Sequence, residues 1–169
     1  TRGDGRKGED VSENLKTVRA IPLRLDGDGH PDTLAVRGEV YMPRKAFQEL
    51  NRRRVENGEE PFANPRNAAA GLMRQLDPSK VADKPMDVVF YGILDAGDRE
   101  IDSHSEALEL LEGWGLKTDD HNRTGSSVSD IASYRDRLLS GREDLEYEID
   151  GIVVKVDDYP VRAKLGSRE

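Results

Sequence analysis

Apolar positions recur along this chain with two periods, and the places where one gives way to the other predict its elements. Val11, Leu15 and Val18 fall at helical spacing and predict a short amphipathic helix, with Asp10 as its N-cap. Ile21 to Leu25 reads as a strand stopped by the turn-rich DGDGHPD, and Leu34 to Met42 (LAVRGEVYM) alternates as a strand does. Period-2 alternation sets Arg37 and Glu39 on one face of it, opposite Val36, Gly38 and Val40. Pro43 opens a helix carrying Phe47, Leu50 and Val55, which should end near Asn57-Gly58. Asp87 to Leu94 (DVVFYGIL) is an almost continuous apolar run, so it predicts a strand buried on both faces. Ser105 to Trp114 and Ser129 to Leu139 predict two further helices, the second capped by Ser127 or Ser129. Tyr147 to Asp157 (YEIDGIVVKVD) is rich in β-branched residues and predicts a last strand, broken at Asp150-Gly151. Helices and strands mix irregularly and without repeat, which predicts an α+β domain with mostly antiparallel sheets.

The stretch from Pro61 to Asp77 (PFANPRNAAAGLMRQLD) fits neither period simply. Ala68, Ala69, Ala70 and Gly71 carry little side-chain bulk, while Arg66 and Arg74 stand about two turns apart and lean toward one side of a helix. Two readings follow: an anion-facing helix whose small side admits a close neighbour, or an alanine-rich core helix with two solvated arginines. The opening TRGDGRKGED, with its Gly-flanked acids, suits a turn or a backbone nest.

Composition narrows the function classes. At 169 residues the chain is long enough for one domain with its own core. Hydrophobic residues make up 35% and charged residues 36%, and the net charge of −8 gives no global attraction to nucleic acid. Phosphate contacts must therefore come from local arginines, which outnumber lysines among the 26 basic residues. Such an acidic, lysine-poor surface also suits a high-salt cytoplasm. The absence of cysteine excludes disulfides, a thiol nucleophile and cysteine-ligated zinc within this chain. No apolar run is long enough to span a membrane, so a cytoplasmic protein is expected. Thr1 in place of an initiator methionine, and the abrupt end at SRE, suggest that both ends are cuts.

Polar groups interrupt otherwise apolar or small-residue segments at Arg2 and Asp4, at Glu39, at Arg66 with Arg74, and at Asp150 with Lys155. Ionisable groups are costly to bury unless paired, and one shared site would account for them together. Carboxylates hold ribose hydroxyls, arginines hold phosphate, and a lysine beside an aromatic ring can bracket a base. The combination fits a nucleotide site.

At this point the motifs themselves are informative. TRGDG at Thr1 to Gly5, VRGEV at Val36 to Val40, FANPRNAAAG at Phe62 to Gly71 with RQLDP at Arg74 to Pro78, FYG at Phe90 to Gly92 and DGIVVKV at Asp150 to Val156 resemble, in order and spacing, the nucleotidyltransferase motifs of bacterial-type NAD-dependent DNA ligases. The resemblance implies that residues 1–169 are the central part of the adenylation domain, a nucleotidyltransferase fold of the ATP-grasp-like DNA ligase and mRNA capping enzyme type, incomplete at both ends. It implies NAD as adenylate donor, Mg²⁺, nicked duplex DNA as partner and a monomeric parent enzyme, with any zinc site outside this chain. It also implies roles: Glu39 on the adenylate ribose, Arg2 near ribose and phosphate, Tyr91 stacked on adenine and Lys155 across the base. Arg66, Arg74 and Arg142 would face the nick phosphate or the nicotinamide mononucleotide leaving group, and Asp150 would organise Lys155 or a Mg²⁺.

One family feature is missing. The nucleophile belongs to a Lys-x-Asp-Gly motif that in the family shortly precedes TRGDG, and none of these lysines has that context; Lys155 is followed by Val156-Asp157-Asp158. The chain by itself is therefore expected to be inactive. The rival readings are an ATP- or GTP-dependent nucleotidyltransferase of the same superfamily, against which FANPRNAAAG and RQLDP argue, and a non-catalytic phosphate- or nucleic-acid-binding remnant. Blander roles are assigned elsewhere: Asp4 to its turn, Trp114 to the core, His30, His104 and His121 to the surface, and the charges at Arg52 to Arg54 to a solvated face.

Overall fold

A computed structural model of the chain describes residues 7–166, so the expectations for Arg2, Asp4 and the TRGDG turn lie outside the described residues. In chain order the elements are α1 (Ser12–Leu15), β1 (Ala35–Tyr41), α2 (Arg44–Glu56), α3 (Pro65–Met73), α4 (Ser79–Ala82), β2 (Asp87–Asp95), α5 (His104–Gly113), α6 (Val128–Ser140), a 3₁₀ turn at Arg142–Asp144 and α7 (Tyr159–Leu165). They fall into two compact units, the first made of the residues before Arg24 with Val40–Val88, the second of Arg24–Glu39 with the residues from Val89 onward.

In the first unit the arginine-alanine stretch resolves into a capped core helix. Asn64 stands at the N-cap in extended backbone and its side chain accepts from the Asn67 N–H at 2.7 Å, while Pro65 takes a first-turn position where no donor is needed. Ala68 and Ala69 are buried, with Leu72 and Met73 one turn on, and all pack with Val18, Met42, Val81 and Met86. The small side chains therefore admit the unit's own core. The preceding segment is held by Asn51, whose amide exchanges two hydrogen bonds with the backbone of Phe62 at 2.8 and 2.9 Å. Helix α2 ends where the sequence predicts: Gly58 adopts φ +75°, and the N–H groups of Gly58 and Glu59 return to the carbonyls of Val55 and Arg54. Arg52 and Arg53 pair with Glu49 and Glu56 on its solvated face.

β1 and β2 form a two-stranded sheet. Tyr41 donates to Asp87 at 2.9 Å, while a Cβ on Gly38 would stand 2.9 Å from the Val89 carbonyl and 3.0 Å from the Phe90 ring. As positions rise in β1 they fall in β2, so the pair is antiparallel. The close approach at Gly38 leaves no room for a side chain, which accounts for the glycine between Arg37 and Glu39. Val88 and Phe90 are buried, but Tyr91 is 41% and Leu94 59% exposed. The expectation of burial on both faces is thus corrected: Val88 and Phe90 are core, the face of Val89, Tyr91 and Ile93 is only partly covered, and the strand is exposed at its far end, Leu94 and Asp95.

The second unit's core is built on α5, with Ala107, Leu111, Trp114, Leu116 and Phe90 buried. Its C-terminus closes through Gly115 at φ +79°, the N–H groups of Gly115 and Leu116 bonding the carbonyls of Glu112 and Leu111. That closure turns Leu116 back over Leu111 and needs a residue that tolerates positive φ. α6 starts at a reciprocal capping box between Ser127 and Asp130.

Two expected strands are absent. At Ile21 to Leu25 the Ile21 N–H is taken by the Val18 carbonyl in a turn, Pro22 has no N–H to give and Leu23 is 86% exposed, so the segment runs as turns and bends. Tyr147 to Asp157 is irregular: no strand among the described residues pairs with it, Val153 is 83% and Val154 61% exposed, and its C-terminal end bonds to the start of α5.

The burial contrast within α3 gives a test. Ala68→Leu, at a fully buried position, should cost about 1–3 kcal/mol, whereas Ala70→Leu, at an exposed one, should be nearly neutral; urea titration followed by a probe in this unit measures both, and equal effects would contradict the packing described.

Candidate functional site

The chemistry-bearing residues of the second unit gather where β2 meets the strap Lys155–Asp158. Alternation in the sheet sets Gly38 and Phe90 on the core face, so Glu39 and Tyr91 share the open one. Glu39 makes no hydrogen bond or ion pair with a described residue, which leaves its carboxylate available to a ligand.

Four backbone N–H groups at a helix start have no partner within the helix. In α5 the strap supplies two of these partners. The His104 N–H donates to the Asp157 carbonyl at 2.9 Å, and the Ser105 N–H and hydroxyl each donate to the Asp157 carboxylate at 2.8 Å. Glu106 N–H donates to the Ser103 hydroxyl at 3.1 Å, completing the first turn. Next to Asp157, Asp158 caps α7 by accepting from Val161 N–H at 2.7 Å, and the Tyr159 N–H donates to the Asp102 carbonyl. The Asp157-Asp158 pair thus ends one chain segment on two helix starts, and it fixes where Lys155 stands.

Lys155 reaches back from the strap to β2. Its ammonium donates to the Tyr91 carbonyl at 3.2 Å, lies 3.2 Å from His104 Nε2 and sits 5.2 Å from the centre of the Tyr91 ring. Although the residue is exposed, its partial burial, followed by the charge of Arg162, pulls the Lys155 pKa below its ordinary value. Burial and the charges of Lys155 and Arg162 lower the His104 pKa, only partly offset by Asp157. Arg162 itself spans the Tyr159 ring at 4.7 Å and donates to the Val156 carbonyl.

The structure therefore brings Tyr91 and Lys155 into contact and puts Glu39 on Tyr91's face. Asp150 is exposed and takes no part in holding Lys155; the contacts of the amine are Tyr91 and His104. Arg142 lies exposed in the 3₁₀ turn. Arg66 and Arg74 belong to the first unit: Arg66 is exposed on α3, and Arg74 lies just past the helix as its C-cap, 3.7 Å from Glu9, instead of continuing the helical face.

His104 is the residue that sequence reasoning missed. Ser103 and Glu106 mark it as the first residue of a helix, but nothing in the pattern links it to a lysine so far along the chain. His121 is also more than a surface residue: Asp119 accepts from its backbone at 2.8 Å, lies 2.9 Å from its ring and accepts from the Tyr147 hydroxyl at 2.6 Å. Burial alone would raise the Asp119 pKa, and those hydrogen bonds outweigh it and hold the carboxyl below its usual range. Among the described residues no group of three or more acidic or histidine side chains could hold a metal. No helix among them is long and apolar enough to cross a membrane.

Over residues 1–169 the chain matches the family described as NAD-dependent DNA ligase adenylation domain. It is 56% identical over 168 residues to a DNA ligase of Haloferax volcanii, covering 99% of this chain and 24% of that protein. Over 167 residues it is 51% identical to a DNA ligase of Natronomonas pharaonis and 47% to one of Bacillus mycoides, each time covering 99% of this chain and 24% of the relative. The chain thus spans about a quarter of the length of these curated relatives.

The strap makes a pH-dependent prediction. The hydrogen bonds from Ser105 hold the Asp157 carboxyl below its ordinary value, so its contribution is complete above the unfolded pKa of about 3.9 and is lost as pH falls through the lower folded one. Asp157→Ala should speed amide exchange at Ser105, whose N–H loses its carboxylate acceptor, several-fold at neutral pH, and that difference should close in acid. Hydrogen exchange measured on the intact protein checks this; no difference at Ser105 at neutral pH would contradict the capping role of the carboxylate.

Proposed function

The chain belongs to the NAD-dependent DNA ligase adenylation domain family, and from that premise we propose that it forms most of the adenylate pocket of an enzyme that seals nicks in duplex DNA with NAD. Its fold is then a nucleotidyltransferase of the ligase and capping-enzyme type, of which residues 1–169 are the central part. The reading is carried by one observation: Glu39, Tyr91 and Lys155, distant in sequence, are respectively an unengaged carboxylate, an exposed ring on the same strand face, and an ammonium seated against that ring. A base stacked on Tyr91 would have the Lys155 amine beside it, and its ribose would carry hydroxyls for Glu39.

In this reading a lysine of a Lys-x-Asp-Gly motif, which the family resemblance sets before Thr1, attacks the adenylyl phosphorus of NAD. A nitrogen–phosphorus bond forms, the bond from that phosphorus to the bridging oxygen breaks, and nicotinamide mononucleotide leaves with the electron pair while the amine proton passes to solvent. The adenylate then moves to the 5′-phosphate of the nick, and the 3′-hydroxyl displaces it as AMP. Negative charge shifts among oxygens at each step, so fixed cations favour the transition states. Arg66, Arg74 and Arg142 are proposed for the leaving group and the nick phosphate, with Arg2 near the ribose and phosphate. Mg²⁺ in phosphoryl chemistry is commonly held by substrate phosphates and only one or two carboxylates, a requirement that Asp150 could meet without a protein cage; the ion would neutralise phosphate charge.

With adenylate-labelled NAD, the intact protein should acquire covalent AMP and release nicotinamide mononucleotide, and Glu39→Ala should slow this by more than about tenfold, the loss of a charge-assisted hydrogen bond to the ribose. Wild-type protein that never becomes labelled would overturn the ligase reading, and unchanged labelling of the variant would overturn the ribose role.

A further inference from the structure

The ammonium of Lys155 has three N–H donors and no acceptor. One N–H goes to the Tyr91 carbonyl, and the short approach to His104 Nε2 can only be a donation from lysine to an unprotonated ring nitrogen. A charged Lys155 in that contact requires the neutral imidazole with its proton on Nδ1. The imidazole is itself held: its backbone N–H bonds to the Asp157 carbonyl, two residues beyond Lys155, and its ring lies 6.5 Å from that of Tyr159 at 55°. The backbone bond from His104 to Asp157 holds the two chain segments together, so that Lys155, two residues before Asp157, starts within side-chain reach of the imidazole.

We infer that His104 is a positioning residue for Lys155: its neutral imidazole and the Tyr91 carbonyl together fix the ammonium against the Tyr91 ring and leave the third N–H aimed at the adenylate. This rests on the ligase reading above. A flexible lysine would otherwise lose several rotors of freedom on meeting its ligand, and a pre-set one does not. Protonation of His104 removes the acceptor and puts a second cation against the first. The groups facing the imidazole are Lys155 and Asp157 from the strap and Arg162 and Tyr159 from α7; burial and the two cations outweigh the one facing carboxylate.

The test uses the intact protein and single-turnover formation of the lysyl-AMP from NAD. His104→Leu should lower the rate at subsaturating NAD by about tenfold to hundredfold, the worth of a hydrogen bond to a charged group. His104→Gln, which keeps an acceptor that does not titrate, should recover most of that rate and should also lack the acid-side decline of the wild-type profile. Nitrogen NMR of His104 gives a second readout independent of catalysis: Nε2 should be the unprotonated nitrogen, and Lys155→Met should raise the imidazole pKa. A glutamine variant with the wild-type acid limb, a leucine variant with unchanged rate, or a proton on Nε2 would each overturn the proposal. Wild-type protein that forms no lysyl-AMP would instead overturn the ligase reading, and the imidazole spectrum would still decide the pairing.

Discussion

The arrangement of the second unit depends on the unpartnered N–H groups at the start of α5. A helix of this length exposes donors that water, a side chain or another segment must meet, and here Asp157 meets two of them with its carbonyl and its carboxylate. Because Asp158 caps α7 at the same place, the strap has little freedom to slide. Lys155, two residues earlier, is thereby delivered to Tyr91. The segment reads in sequence as a β-strand, but its conformation at this end is set by helix capping.

A second constraint acts at the sheet. Gly38 brings β1 so near Val89 and Phe90 that no side chain fits between them, and this contact fixes which residues face the core. Glu39 and Tyr91 are left on the open side for that reason. The glycine of the RGE motif thus serves packing, while the acid beside it remains free for chemistry. α3 divides its labour in the same way, with Ala68 and Ala69 in the core of the first unit and Arg66 on its surface.

Much of this was legible in the residues. The helices α2, α5 and α6, the end of α2 at Gly58, the Ser127 cap of α6 and the strands β1 and β2 followed from period and capping chemistry. What was not legible depended on contacts distant in sequence. β-branched residues at Ile152 to Val154 express a preference for extended backbone, but a strand also needs a neighbour, and none lies beside them among the described residues. Arg74 has the spacing to share a helical face with Arg66, yet the helix stops one residue before it. His104 carried the marks of a helix start and no mark of a lysine partner, because that contact is made across the α5 cap.

The central claim is that Tyr91, Lys155 and Glu39 form one adenylate site. It is tested most directly by a crystal structure of the intact protein with NAD or its adenylate bound. The account predicts adenine stacked on the Tyr91 ring, the Lys155 amine within hydrogen-bond distance of the base and Glu39 on the ribose hydroxyls. Adenine bound elsewhere, away from both Tyr91 and Lys155, would contradict it.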